Sequence, residues 1–245
     1  MIDTQPLVNL SGTTAISAAF HNGNLIISNV GDSRAILGYK YEEDGAPPET
    51  ESGPQSRKLL AVPLSQDQTP WRKDERERII NAGGRVMTID QVESQGTNPE
   101  NTDDSGNGEN ADTAVLGNRI LGANGDIDEN GDPPRVWLST KNIPGASFTR
   151  SLGDSIANRV GVNGTPETFT KQITKEDQCL VLASDGVFEF LPNQDIIDIC
   201  AENYGNPLEA CNKIVDTSYS KWLEYEDRTD DITVIVMFIR HDLIE

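Results

Sequence analysis

Histidine is almost missing from this chain: His21 and His241 are the only two in 245 residues. That makes catalysis by imidazole and His-rich metal sites poor expectations. Cysteine is scarce as well. Cys179, Cys200 and Cys211 are odd in number and form no CxxC pair, so neither a disulfide framework nor a zinc site is encoded. A reducing compartment suits them. No basic residue precedes Arg34, so a secretory signal has no charged n-region to start from. The longest apolar run, Ile232 to Ile239 broken only by Thr233, is far short of the ~20 residues that cross a bilayer. The expected location is therefore cytoplasmic or nuclear. Positive charge is the largest deficit. Lys and Arg number 20 against 40 Asp and Glu, a net charge of −20. Such a chain repels phosphate backbones and anionic lipid heads, so the reading is no nucleic acid and no membrane.

The acid is unevenly spread. Residues 42–56 hold five acidic residues and no base. Residues 93–134 hold ten acids and only Arg119. Both stretches are rich in Gly, Pro, Asn, Ser and Thr, so they read as disordered surface insertions. The hydrophobic share of 36% agrees, since it implies that part of the chain lies outside any core. The remainder is expected to be one domain over 1–245.

Local signals outside these stretches are clear. Thr13–Phe20 and Asn24–Val30 are β-branched runs joined by His21-Asn22-Gly23, a strong hairpin signal. Ser33–Gly38, Lys58–Val62, Cys179–Ser184 and Ile232–Ile239 read as further strands. Thr69-Pro70 reads as the start of a helix that stops at Gly83-Gly84. Asn193 opens a second helix. Asn206-Pro207-Leu208-Glu209 reads as a capping box for a third, with Leu208, Cys211, Val215, Tyr219 and Trp222 on one face. Strands cluster rather than alternate with helices, so the class is α+β with antiparallel sheet.

The candidate chemistry is oxygen-based. Asp185 follows an apolar strand and precedes Gly186; Asp230 and Asp231 precede the last strand; Asp67 precedes a helix. Carboxylates on strand rims can converge on a hard cation. Paired Mg²⁺ or Mn²⁺ ions clamp a phosphoryl group and lower the pKa of water. Each acid taken singly is also an ordinary turn or cap. Asp126 to Gly131 begins like an EF-hand loop, but Trp137 stands at its twelfth position and Pro133-Pro134 interrupt it. No P-loop, kinase glycine loop or GxSxG elbow is present.

Several segments together resemble one family. They are Ser11-Gly12-Thr13-Thr14-Ala15, Gly31-Asp32-Ser33-Arg34, Gln66-Asp67, Glu77-Arg78-Ile79 with Ala82-Gly83-Gly84, Phe148 to Asp154, Ala183 to Phe190, and Asp230-Asp231-Ile232-Thr233. In order and spacing they are similar to the metal-dependent protein serine/threonine phosphatases, protein phosphatase 2C of the PPM type. The resemblance implies two packed antiparallel β-sheets flanked by helices, an α-β-β-α sandwich. It implies a phosphoprotein substrate, a monomer, and two Mg²⁺ or Mn²⁺ ions bridged by the attacking water. By motif position, Asp185 and Asp230 match the core metal ligands. Asp67 and Glu189 match ligands of a third, weaker ion. Asp32, Arg34, Arg150 and Asp154 match positions that tie turns, and no catalytic side chain is identified beyond the metal ligands.

The chain departs from the pattern in places. Gln68 stands where the family often has His, and Asp231 where it often has Asn. The family's phosphate-binding arginine and its Asp-Gly-His-Gly motif precede the Ser-Gly-Thr-Thr strand, and residues 1–10 match neither. The expectation is therefore an N-terminally incomplete copy, lacking the N-terminal strands, inactive and poorly soluble alone. The alternative is a catalytically inactive phosphatase-like binding or regulatory module.

Overall fold

The structure, a computed structural model, describes residues 11–41, 58–96 and 133–241. The acidic stretch 42–56 lies outside these residues. Of 93–134, only 93–96 and 133–134 are described. In chain order the strands are β1 (Gly12–Thr13), β2 (Ala15–His21), β3 (Asn24–Val30), β4 (Arg34–Lys40), β5 (Leu59–Pro63), β6 (Arg85–Met87), β7 (Arg135–Trp137), β8 (Pro144–Ala146), β9 (Leu152–Gly153), β10 (Glu167–Gln172), β11 (Asp177–Ala183) and β12 (Val234–Phe238). The helices are α1 (Lys73–Asn81), α2 (Ile89–Gly96), α3 (Asp185–Phe188), α4 (Asn193–Glu202) and α5 (Pro207–Tyr225). They group into two compact units: Ala15–Asp67 with Pro166–Glu245, and Met1–Thr14 with Gln68–Thr165.

The first unit is a sandwich of two antiparallel sheets, as expected. One sheet has the order β10-β3-β2 and the other β12-β11-β4-β5. Leu25 and Ile27 of β3 pack against Ala35 and Leu37 of β4 and Leu180 and Leu182 of β11. Alternate residues on each strand supply this layer, as the period of two requires. Burying each Leu or Ile fully contributes about 2 kcal/mol. The opposite face of β11, from Cys179 to Ala183, packs against Ile196, Ile197, Ala210 and Ile214 of α4 and α5. The hairpin joining β2 to β3 is the one predicted. Asn22 and Gly23 have φ of 49° and 71°, the left-handed pair that a tight two-residue turn demands.

The third helix begins where its capping box placed it, with Asn206 Oδ1 accepting from Glu209 N at 3.3 Å. Its buried face differs from the predicted one. Ala210, Ile214 and Ser218 are buried, whereas Leu208 and Tyr219 are half or more exposed. Ala210 and Ile214 join the core with Val236 of β12 and Ile197 of α4, so packing buries the row one position from the predicted one.

In the second unit, β6, β7 and β8 form a small antiparallel sheet. Val86 and Val136 pack there with Ile79, Ala157 and Val160. The helix expected from Pro70 starts instead at Lys73. Arg72 N donates to Thr69 O at 3.1 Å, so Thr69-Pro70 makes a turn first. Helix α2 was not foreseen. Thr88 Oγ1 accepts from Gln91 N and Gln91 Oε1 accepts from Thr88 N, a capping box present in the sequence. Residues 93–96, read as part of an insertion, complete it.

Among the described charged groups of this unit, Glu75 is the most buried, at 1% exposure. It pairs with Arg78 at 2.6 Å and Arg150 at 2.7 Å, and accepts from Thr149 Oγ1. Arg150 thus ties turns, as the resemblance implied. Asp154 does too, accepting from Ser151 Oγ at 2.7 Å. Among the described residues, no helix is long and apolar enough to cross a membrane.

Candidate metal centre

The topology of the four-stranded sheet gathers acids at one edge. Ala183, the last residue of β11, pairs with Arg34, the first of β4. It also pairs with Val234, the first of β12. Antiparallel strands therefore bring the residues before β4, the residues before β12 and the residues after β11 to the same end. β5 runs antiparallel to β4, with Pro63 opposite Ile36, so its exit leads there as well. Asp32, Asp67, Asp185 and Asp230 all occupy these four exits and entries.

Local hydrogen bonds hold the segments. Ser184 Oγ donates to Asp231 O at 3.0 Å and accepts from Thr233 N at 3.1 Å. This staples the Asp230-Asp231 turn to the end of β11. Asp185 Oδ1 accepts from Gly186 N at 2.9 Å and opens α3. Trp222 Nε1 donates to Gly186 O at 2.7 Å, tying α3 to α5. Glu189 lies one helical turn beyond Asp185, its N–H bonded to Asp185 O.

Gly186 is required by close approach. A Cβ there would lie 2.5 Å from Asp231 O and 3.1 Å from Asp231 C. Alanine in a helix normally stabilises relative to glycine by about 1 kcal/mol. Here Gly186→Ala should instead destabilise by about 1–3 kcal/mol, because backbone must move. The same movement displaces Asp230 and should weaken Mn²⁺ binding. Melting and Mn²⁺ titration of the variant check this; a stabilised variant with unchanged binding would refute it.

Asp67 is clamped. Arg34 Nε and Nη2 donate to its two oxygens at 2.9 and 2.6 Å, while Arg34 Nη1 donates to Asn193 Oδ1 at 2.8 Å. The Arg34 guanidinium also lies 4.5 Å from the centre of the Phe188 ring. The other acids lack such relief. Burial pushes the Asp185 carboxyl up, and Asp230 and then Asp67 add to it. Burial also raises Glu189, with Asp185, Glu226 and Asp230 adding to it. Asp32 is 8% exposed and is pushed up to about 7, by burial first and Asp185 next. Like charges gathered at one sheet edge favour a neutralising partner.

The residues present suit a hard divalent cation. Every donor is a carboxylate oxygen, the ligand type that Mg²⁺ and Mn²⁺ prefer. The four expected ligands, Asp185, Asp230, Asp67 and Glu189, lie in one unit, and the first three stand at one sheet edge. Asp32 stands at the same sheet edge. Its signal was positional: like Asp230, it closely precedes a strand that pairs with β11.

The protein phosphatase 2C family profile matches residues 3–98 and 117–223. The chain is 38% identical over 232 residues to probable protein phosphatase 2C 35 of Arabidopsis thaliana, covering 95% of this chain and 57% of that protein. It is 30% identical to probable protein phosphatase 2C 72 of the same plant, covering 95% of this chain and 56% of that one. The chain thus spans little more than half the length of these relatives. Among solved structures, serine-threonine phosphatase 2C from Toxoplasma gondii aligns with a TM-score of 0.63 at 16% identity, covering 96% of this chain and 61% of that one. That likeness bears on the fold.

Proposed function

This chain belongs to the protein phosphatase 2C family, and from that premise we propose that it serves metal-dependent hydrolysis of phosphoserine and phosphothreonine in proteins. The observation that carries the reading is the convergence of Asp185, Asp230, Asp67 and Asp32 on one edge of the β12-β11-β4-β5 sheet. Asp185 and Asp230 hold the core cation, Mg²⁺ or Mn²⁺. Glu189 and the Arg34-clamped Asp67 stand where a further, weaker ion is held. The bound metal supplies positive charge against the phosphoryl oxygens and lowers the pKa of the attacking water.

The protein's own part is positioning. The Ser184 staple and the Gly186 approach fix Asp230 relative to Asp185. The rigid strand ends hold both carboxylates before substrate arrives, which avoids reorganisation during the reaction. Arg34 holds both oxygens of the Asp67 carboxylate in place and reduces repulsion at an acidic rim that must admit a phosphate.

Phosphate release from a phosphothreonine peptide tests the reading, with Mn²⁺ and with EDTA. Two proteins are compared: this chain, and this chain extended by a family N-terminal segment carrying Asp-Gly-His-Gly. The extended protein should release phosphate with Mn²⁺ and stop in EDTA. No release, or release that EDTA leaves untouched, would overturn the proposal.

A further inference from the structure

A cleft beside the metal edge bears on which phosphoproteins fit. We propose that the cleft between β10 and the Pro63–Gln66 segment is a specificity subsite, where Phe169 receives an apolar side chain flanking the phosphorylated residue; this rests on the phosphatase reading given above.

Strand register sets the floor of the cleft. β10 pairs with β3 so that Phe169 lies opposite Ile27 and Glu167 opposite Asn29. Directly opposed residues share a face, and so do residues two apart on one strand. Ile27 belongs to the core layer between the two sheets, so Phe169 projects to that same side. Phe169 is nevertheless 45% exposed, against 1% for Ile27. β10 is the end strand of its sheet, and a cleft of about 470 Å³ opens beside it. That lies within the roughly 300–1,000 Å³ of small-ligand sites, so there is room for an entering side chain.

Hydrogen bonds set the wall. Leu64 N donates to Ala35 O at 2.9 Å, and Ala35 N donates to Ser65 Oγ at 2.9 Å. These pin the chain leaving β5 to the start of β4. Asn29 Nδ2 donates to Gly31 O at 3.1 Å, which pins the chain leaving β3. The cleft is thus shaped before a ligand arrives, and filling it costs little ordering of the protein.

Its position makes it a substrate site. Gln66 lines the cleft, and the next residue is Asp67, clamped by Arg34. Consecutive Cα atoms are only about 3.8 Å apart. The wall of the cleft therefore runs directly into the metal edge, and a peptide whose phosphate lies at that edge has its flanking residues beside the cleft. Chemistry then selects among side chains. Ile27, Leu64 and Phe169 offer apolar surface, and Glu167 is the one charged residue among those lining the cleft. An acidic side chain would meet repulsion and no cation there, whereas an aliphatic or aromatic one covers the Phe169 ring.

The test measures phosphate release by the extended protein with Mn²⁺. The substrates are phosphothreonine peptides flanked by serine, or with one leucine, glutamate or lysine placed at each neighbouring position in turn. p-Nitrophenyl phosphate, which has no flanking residue, is the reference. Hydrophobic pockets discriminate by about 10–200-fold, and this cleft is open on one side, so the best leucine peptide should exceed the serine peptide about tenfold in kcat/KM. Phe169→Ala should abolish that preference and leave p-nitrophenyl phosphate turnover unchanged, while Phe169→Leu should recover most of it. Phe20, on the opposite end strand of the same sheet, is similarly exposed at 43% but does not line the cleft, so Phe20→Ala should keep the preference. Equal turnover of leucine and serine peptides, a preference for glutamate or lysine, or a leucine preference that survives Phe169→Ala overturns the subsite. Mn²⁺-dependent turnover of p-nitrophenyl phosphate would then still uphold the phosphatase reading. Its absence in the wild type removes that reading, and the subsite with it.

Discussion

Replacing Asp185 by asparagine is expected to lower Mn²⁺-dependent phosphate release by roughly a thousandfold in the extended protein. The size follows from charge: withdrawing about 4 kcal/mol of transition-state stabilisation is three factors of ten. Asparagine is chosen because its Oδ1 can still accept from Gly186 N, as Asp185 Oδ1 does at 2.9 Å. The start of α3 should therefore survive. Asp185 is pressed by burial first and by Asp230 next. Removing its charge should leave the metal-free fold as stable as before, or more so, while calorimetry shows the tight Mn²⁺ site gone. The three readouts separate a ligand from a structural residue, since a structural loss lowers stability and activity together. Activity within tenfold of wild type, with tight Mn²⁺ binding intact, would sink the assignment.

Much of the first unit was legible in the residues. Asn22-Gly23 announced its hairpin because two successive positive φ values cost little only for such residues. Asn206 and Pro207 announced α5 because the cap and the fixed proline φ are local devices. Asp185, Asp230 and Asp67 could be suspected because each stands beside a strand or helix end, and motif order joined them.

What escaped depends on contacts between distant segments. The buried face of α5 was misplaced by one position, because periodicity weights bulk whereas packing against β12 and α4 favours Ala210 and Ser218. The α1 start was set too early because a Thr-Pro pair opens a turn as readily as a helix. Helix α2 was overlooked although Thr88 and Gln91 spell its cap; the acidic composition just beyond it dominated the reading. The place of Asp32 at the edge it shares with Asp230 escaped because β4 and β12 flank β11 only in the folded sheet.

Glu75 is the clearest case of that distance, and replacing it by alanine is expected to cost about 3–5 kcal/mol. That is the range for breaking a buried ion pair by removing one partner. Glu75 comes from α1 and its partners Arg150 and Thr149 lie 75 and 74 residues on. The carboxylate thus fastens the helix to the Phe148–Asp154 segment. Burial alone would raise its pKa; the hydrogen bonds from Arg150, Arg78 and Thr149 overcome that and hold it at about 2. The sign follows. A carboxyl whose folded pKa is depressed stabilises the fold above its ordinary value of 4.5, and that contribution drains away as pH falls towards 2. Wild type should therefore lose stability over this window. Glu75→Gln should lose less there, having less to lose. In the alanine variant, Arg78 keeps Gly161 O and Thr149 O, and Arg150 keeps Thr165 O, so both arginines retain part of their bonding. At about 2–4 °C per kcal/mol for a chain of this size, the melting temperature should drop by roughly 10 °C. A double-mutant cycle with Arg150→Ala isolates the pair from the helix. Coupling of about 1 kcal/mol or less, the range of an exposed pair, would show that burial adds nothing to this bridge and that α1 is held by its apolar face alone.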